Sequence, residues 1–207
     1  MKGIIGKKLG MTQIFNEKGL VVPVTVVEAG PCTVVQNKTE GIDGYNATVL
    51  AFEDVKENKI SKPEGGVFKK INKAPKKYLR EFAFDNAPEV GSEIKADIFA
   101  EGEFVDVSGT TRGRGFTGNI QRWNAARLRM THGTGPVHRS VGSTGANSNP
   151  SRVFPGHHMP GQYGNEKVTV LNLEVVKVDL DKNILLIKGA IPGPKGSLVT
   201  LRKAVKK

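Results

Sequence analysis

Gly19-Leu20-Val21-Val22-Pro23-Val24-Thr25-Val26-Val27-Glu28 is the stretch that decides the fold class, with valine at five of its ten positions. Valine loses side-chain freedom in a helix and packs well on a pleated surface, so the stretch reads as a strand. Pro23 has no N–H to give to a ladder and belongs at an edge or a bulge. Moving outward, Gly30-Pro31 marks a turn before Cys32 to Gln36, and Ile42-Asp43-Gly44 marks another before Tyr45 to Phe52. Strands at this spacing, punctuated by turn residues, point to a sandwich or a barrel. Phe82 to Phe84 reads as extended chain and Phe104 to Val107 as a strand. Val168 and Val170 alternate, and Leu173 and Val175 resume on a shifted phase, which predicts a bulge near Leu171 and Asn172. Asp181-Lys182-Asn183 predicts a hairpin turn into Ile184 to Lys188, and Leu198 to Leu201 a last strand. Residues 166–207 are too few to bury much core alone, so the two β parts are expected to complete one barrel. Two stretches read differently. Residues 56–77, with eight lysines and Pro63, Gly65, Gly66 and Pro75, read as a solvated surface loop. Pro75 to Phe82 reads as a short helix.

Charge divides the chain of 207 residues, whose net charge is +11. Met1 to Asp106 has 15 Lys plus Arg against 16 acids, and Glu166 to Lys207 has nine basic against four acidic residues. Between them, Val107 to Asn165 has no acid in 59 residues, yet holds seven of the nine arginines, all four histidines, the tryptophan and 11 of the 25 glycines. Any carboxylate facing phosphate would be repelled and desolvated, so a segment that lies against a polyanion excludes them. Nucleic acid is the partner this pattern predicts. The segment divides again at Thr131. Residues 131–165 are an extended loop of small residues, dense in glycine and proline, that allows close backbone approach to a ligand.

The chemistry-bearing residues weigh against catalysis. Gly113-Arg114-Gly115-Phe116-Thr117-Gly118 matches a dinucleotide-binding glycine pattern, but the next acid, which would hold a ribose, is Glu166. The stretch reads instead as a glycine-rich turn that brings Arg112 and Arg114 to phosphate. Thr117 to Met130 is expected to include a helix with Ile120, Trp123 and Leu128 near one face. That periodicity favours Trp123 as a core anchor over a base-stacking platform. His132, His138, His157 and His158 have no acid in their segment to orient them, so neither a metal site nor a catalytic triad is expected. Cys32 is the only cysteine, which excludes an intrachain disulfide and a cysteine metal cluster, and it reads as a small buried hydrophobe. No apolar run has the roughly 18 residues of a membrane helix, and the first residues lack the apolar stretch of a signal peptide. A cytoplasmic chain without a membrane partner is the expectation.

Three motifs together resemble a known family, the bacterial form of large-subunit ribosomal protein L-three. They are Gly6-Lys7-Lys8-Leu9-Gly10-Met11-Thr12-Gln13-Ile14-Phe15, the spaced run Phe99, Asp106, Gly109, Thr111, Gly113-Arg114-Gly115, Gly118 and Arg122, and Met159-Pro160-Gly161-Gln162-Tyr163-Gly164-Asn165-Glu166. The resemblance covers essentially the whole chain. It implies a mainly β fold, a translation-factor-like β-barrel with a long, irregular, basic RNA-penetrating extension. Residues 1–106 would begin the barrel, 107–165 would form the RNA-binding segment, and 166–207 would return to complete the barrel. It further implies a ribosome-bound structural protein that binds 23S rRNA early in assembly, with its extension supporting the peptidyl transferase centre region. Neighbouring large-subunit proteins L-fourteen and L-nineteen would be partners. The tip would fall near Gly145 to Arg152. Many relatives carry a methylated glutamine there; the matching position is Ala146, so that modification is not expected.

The rRNA contacts are accordingly expected at Arg112, Arg114, Arg122, Arg127, Arg129, His132, His138, Arg139, Asn147, Asn149, Arg152, His157, His158 and Lys167. No cofactor, metal, small-molecule substrate or catalytic residue is expected. Two other classes remain open from the residues: a free-standing RNA-binding assembly or translation factor, and an enzyme using the glycine-rich turn and the histidines on a nucleotide.

Overall fold

The computed structural model describes residues 2–206. Six antiparallel strands close a barrel. Its first strand, β1 (Gly3–Phe15), pairs with β2 (Val21–Ala29), the valine-rich stretch. The chain then forms β3 (Cys32–Lys38), a one-turn helix α1 (Glu40–Asp43), β4 (Ala47–Asp54), helix α2 (Lys62–Lys70), β5 (Lys76–Phe82) and the short β6 (Glu93–Ile94). These four strands make a separate sheet in the order β5-β4-β3-β6. The barrel resumes at β7 (Phe104–Thr110). After an intervening segment that holds β8 (Gly115–Thr117), α3 (Asn119–Trp123) and β9 (Gly161–Tyr163), it is completed by β10 (Lys167–Asp179), β11 (Ile184–Lys188) and β12 (Leu198–Lys203). Around the barrel the order is β1-β12-β7-β10-β11-β2, so strands from both ends of the chain are neighbours. The fold is mainly β with a closed barrel, as the valine runs predict.

One hydrophobic core serves barrel and sheet. Ile4, Ile5, Val107, Leu185 and Leu201 from barrel strands share a cluster with Val34, Leu50 and Phe82 from the sheet. Full burial of each such side chain contributes roughly 1.5–3 kcal/mol against leaving it in water. A second, smaller cluster joins Val35, Ala51 and Phe68, with Ile60, Ile71 and Leu79 packed against it.

The strand before Gly19 escapes a reading by alternation, because glycines and lysines interrupt its apolar residues. The barrel uses those glycines. A Cβ at Gly3 would overlap the Phe82 ring, and one at Gly6 would lie 2.8 Å from the Glu28 carbonyl oxygen. The predicted bulge is present: the pairing of β10 with β7 shifts register between Val170 and Leu173. There Asn172 takes a left-handed backbone, and its N–H donates to Asp106 Oδ1 at 2.9 Å. The hairpin turn before Ile184 is also present, with Asn183 at φ 53°.

Two expectations are corrected. Residues 56–77 are not a structureless loop, because α2 runs through them. Ser61 and Glu64 close a capping box over its first turn, Pro63 occupies that turn, and Phe68 is buried. The lysine density obscures this apolar anchor. Within Pro75 to Phe82, Lys76–Phe82 is strand β5 rather than a helix. Its pairing with β4, from Thr48↔Phe82 to Asp54↔Lys76, sends Tyr78 and Phe82 to the main core and Leu79 to the second cluster. Covered faces on both sides outweigh the weak local helix preference of the stretch.

Cys32 is fully buried on β3, with its thiol 3.5 Å from the Ile5 carbonyl oxygen. Burial pushes the thiol pKa up to about 12. Since the thiolate is the nucleophile, Cys32 should resist iodoacetamide at pH 8 in the folded chain and react in denaturant. Mass spectrometry before and after unfolding checks this, and rapid native labelling would contradict the packing described.

Candidate nucleic-acid interface

The described chain divides into two compact units, Met1–Thr111 with Lys167–Lys207, and Arg112–Glu166. The second unit is zipped at its ends. β8 pairs with β9 from Gly115↔Tyr163 to Thr117↔Gly161, and the Arg114 N–H donates to the Tyr163 carbonyl at 2.9 Å. Glycine is required at Gly164, where the two limbs meet. Gly164 has φ +69°, and a Cβ there would run into the Arg112 carbonyl. A Cβ at Gly113 would come within 3.3 Å of Asn165 Cβ, and one at Gly161 within 2.6 Å of Arg122 Nη1. Within the glycine pattern at 113–118, Gly115–Thr117 form the strand that approaches its partner closely, and Arg112 and Arg114, just before it, are exposed.

Helix α3 is shorter than the stretch expected from Thr117 to Met130. Asn124 takes a left-handed backbone at φ 55° and ends it, so Leu128 shares no helical face with Trp123. Trp123 is consequently not a core anchor. It is 42% exposed, and its indole lies flat on the His158 ring with centroids 4.3 Å apart and planes 5° from parallel. Its Nε1–H donates to the Met159 carbonyl at 2.9 Å, and Arg122 Nη1 donates to the same oxygen at 2.8 Å. The Arg122 guanidinium also sits 4.9 Å from the indole centroid. Arg122, Trp123, His158 and the Met159 carbonyl thus clamp the two limbs together. Met159 was not anticipated as a participant, because a backbone acceptor leaves no mark in the sequence.

Between α3 and β9 no residue lies in a helix or strand. Local bonds shape this stretch instead. The Leu128 N–H donates to the His138 carbonyl at 3.0 Å, and His138 Nδ1 lies 3.2 Å from the Arg129 carbonyl oxygen. The Ser151 N–H donates to the Asn147 carbonyl at 2.9 Å. Arg152 lies over the Phe154 ring at 5.6 Å, and Arg114 over the Tyr163 ring at 5.5 Å. A guanidinium stacked this way is held in orientation while its N–H fork stays available for a planar anion.

Every predicted contact residue is at the surface. Arg122 and His138 are half-buried; Arg112, Arg114, Arg127, Arg129, His132, Arg139, Asn147, Asn149, Arg152, His157 and His158 are exposed. Lys167 is also exposed, but belongs to the first unit as the opening residue of β10. The structure brings His158 to Trp123 and His138 to Arg129; it does not gather the four histidines. Among the described residues no three His, Cys, Asp or Glu side chains converge as metal ligands. The second unit buries Thr117 and Asn119 but no apolar side chain, and it leaves Phe116 79% exposed and Phe154 60% exposed. The segment thus has arginines on its aromatics, no acid before Glu166 and no buried apolar side chain.

The family model for ribosomal protein L3 matches residues 77–183, more than half of the chain. The chain belongs to the ribosomal protein L3 family. The match takes in the whole second unit and all fourteen predicted contact residues. It does not include the Gly6–Phe15 motif, on which part of the resemblance rested. Ribosomal protein L3 is a structural constituent of the large ribosomal subunit, not an enzyme family, and RNA binding is general among its members. Membership makes the chain ribosome-bound, with ribosomal RNA and ribosomal proteins as its partners. No helix of the described residues is long and apolar enough to cross a membrane.

Proposed function

We propose that residues 112–166 are the principal contact of this chain with 23S rRNA, joined early in subunit assembly and serving to hold RNA geometry around the peptidyl transferase centre. The observation that carries this reading is the coreless second unit. It exposes Phe116, Trp123, Met130 and Phe154 and stacks arginines on aromatics, with no buried apolar side chain to hold it together. Such a surface gains most from a partner that is flat, stackable and negatively charged. Arginine neutralises phosphate and stacks on bases, and small residues from Gly133 to Gly161 let backbone approach RNA closely. The stretch Gly145 to Arg152, exposed throughout, is the segment we assign to the neighbourhood of the catalytic RNA. In this reading the chain supplies no nucleophile or general acid there. Contacts with L-fourteen and L-nineteen belong to the same proposal.

A sucrose gradient of cell lysate tests the reading. The protein should stay at one copy per large subunit through washes in high salt. Release into the soluble fraction, with subunits intact, would favour a free-standing assembly or translation factor instead.

A further inference from the structure

We propose that a groove on the outer face of the barrel, between β5, β12, β7 and β10, is a second RNA-backbone site. It rests on the reading above that this chain binds 23S rRNA, but apart from Lys167 it is carried by different residues.

The groove follows from strand register. Thr200 pairs with Ser108, and Ser108 pairs with Thr169, so three hydroxyls stand in one row across β12, β7 and β10. Their chain neighbours Val107, Val199 and Leu201 are buried, which puts the hydroxyl row on the outside. Ser108 and Thr169 hydroxyl oxygens are 2.7 Å apart. Beside the row lies a groove of about 300 Å³, lined by the hydroxyls of Ser108, Thr110 and Thr200 and by three cations, Arg80, Lys167 and Arg202.

What marks this groove is that three cations line it together. Several lysines of the same unit have carboxylate partners, among them Lys2 with Glu103, Lys7 with Glu53, Lys38 with Glu81, Lys76 with Asp54 and Lys188 with Glu174. Among the described residues none of the three groove cations has one. Arg80 donates to the Leu79 carbonyl; Arg202 donates to the Glu81 carbonyl at 3.3 Å and lies over the Phe82 ring at 5.5 Å. The one carboxylate in the lining, Glu81, is already held by Lys38 Nζ at 2.7 Å and the Tyr45 hydroxyl at 2.8 Å. Three like charges are therefore gathered on one groove and left without counter-charge. Guanidinium forks suit phosphate oxygens, and hydroxyls both donate to phosphate and exchange hydrogen bonds with a ribose 2′-OH. An RNA strand offers both along its length.

The test uses the full-length chain and transcribed 23S rRNA in filter binding from 50 to 200 mM KCl. The variant R80Q/K167Q/R202Q is compared with K56Q/K59Q/K62Q, which removes equal charge from another exposed stretch. At 0.7–0.9 counterions released per phosphate contact, the groove variant should lower the slope of log affinity on log salt by about 2. The control should leave it near the parent value. S108A/T200V should weaken binding several-fold with little change of slope, because neutral hydroxyls release no counterions. Thermal unfolding of each variant verifies that these exposed changes leave the barrel intact. If the groove variant matches the control, this inference is overturned and the groove is either solvated or faces an acidic protein segment. If the parent chain shows no salt-dependent binding at all, the proposed function itself falls, which is a different result.

Discussion

With Arg112, Arg114, Arg127, Arg129, Arg139 and Arg152 all replaced by glutamine, the chain should lose most of its salt-dependent affinity for 23S rRNA while keeping its melting transition. Each arginine on a phosphate adds about 0.7–0.9 to the slope of log affinity on log salt. Removing all six charges would lower that slope by about 4–5, a difference of roughly a thousandfold between 50 and 200 mM salt. Arg122 is left in place because its guanidinium holds the Met159 carbonyl and with it the junction of the two limbs. The melting transition should persist because no residue of 112–166 belongs to the core shared by barrel and sheet. Binding titrations at several salt concentrations check the slope, and calorimetry checks the transition. Weaker binding with an unchanged slope would place the arginines on bases rather than phosphates. Unchanged affinity would remove this segment from the interface.

Leu201→Ala should destabilise the first unit by about 3–4 kcal/mol, a large part of the roughly 5–15 kcal/mol that holds a typical domain folded. Leu201 is fully buried on β12, opposite Ile4 of β1 on one side and Val107 of β7 on the other. Truncation removes its transfer free energy and leaves a cavity where the end of the chain meets its beginning. Urea unfolding should show a lower midpoint with an unchanged slope of free energy on denaturant. A cost below about 1 kcal/mol would mean that β12 is not part of the cooperative unit, since a peripheral strand relaxes around such a change. The neighbouring Arg202 points to the opposite face of the same strand, so R202Q should affect RNA and not stability. One register step thus separates a core residue from a groove residue.

Much of this is legible from the chain alone, and the reasons are local. Valine-rich runs at Val21 to Val27 declare strands because β-branched side chains restrict their own backbone. The phase shift between Val170 and Leu173 declares a bulge because strand periodicity is two. The absence of acids from Val107 to Asn165 declares a change of environment because charge is a property of composition, whatever the fold. Tertiary structure decided what depends on distant partners. Gly3 and Gly6 look like interruptions until Phe82 and the Glu28 carbonyl are placed against them. Residues 76–82 become a strand because β4 and two apolar clusters are there to receive it. Trp123 leaves the core because Asn124 ends its helix and His158, far along the chain, supplies a stacking face. Arg80, Lys167 and Arg202 carry no common signal in the sequence, and only the packing of sheet strand β5 beside barrel strands β12, β7 and β10 sets them on one groove. Periodicity and charge are written residue by residue, whereas neighbours across a sheet are chosen by the closure of the whole barrel.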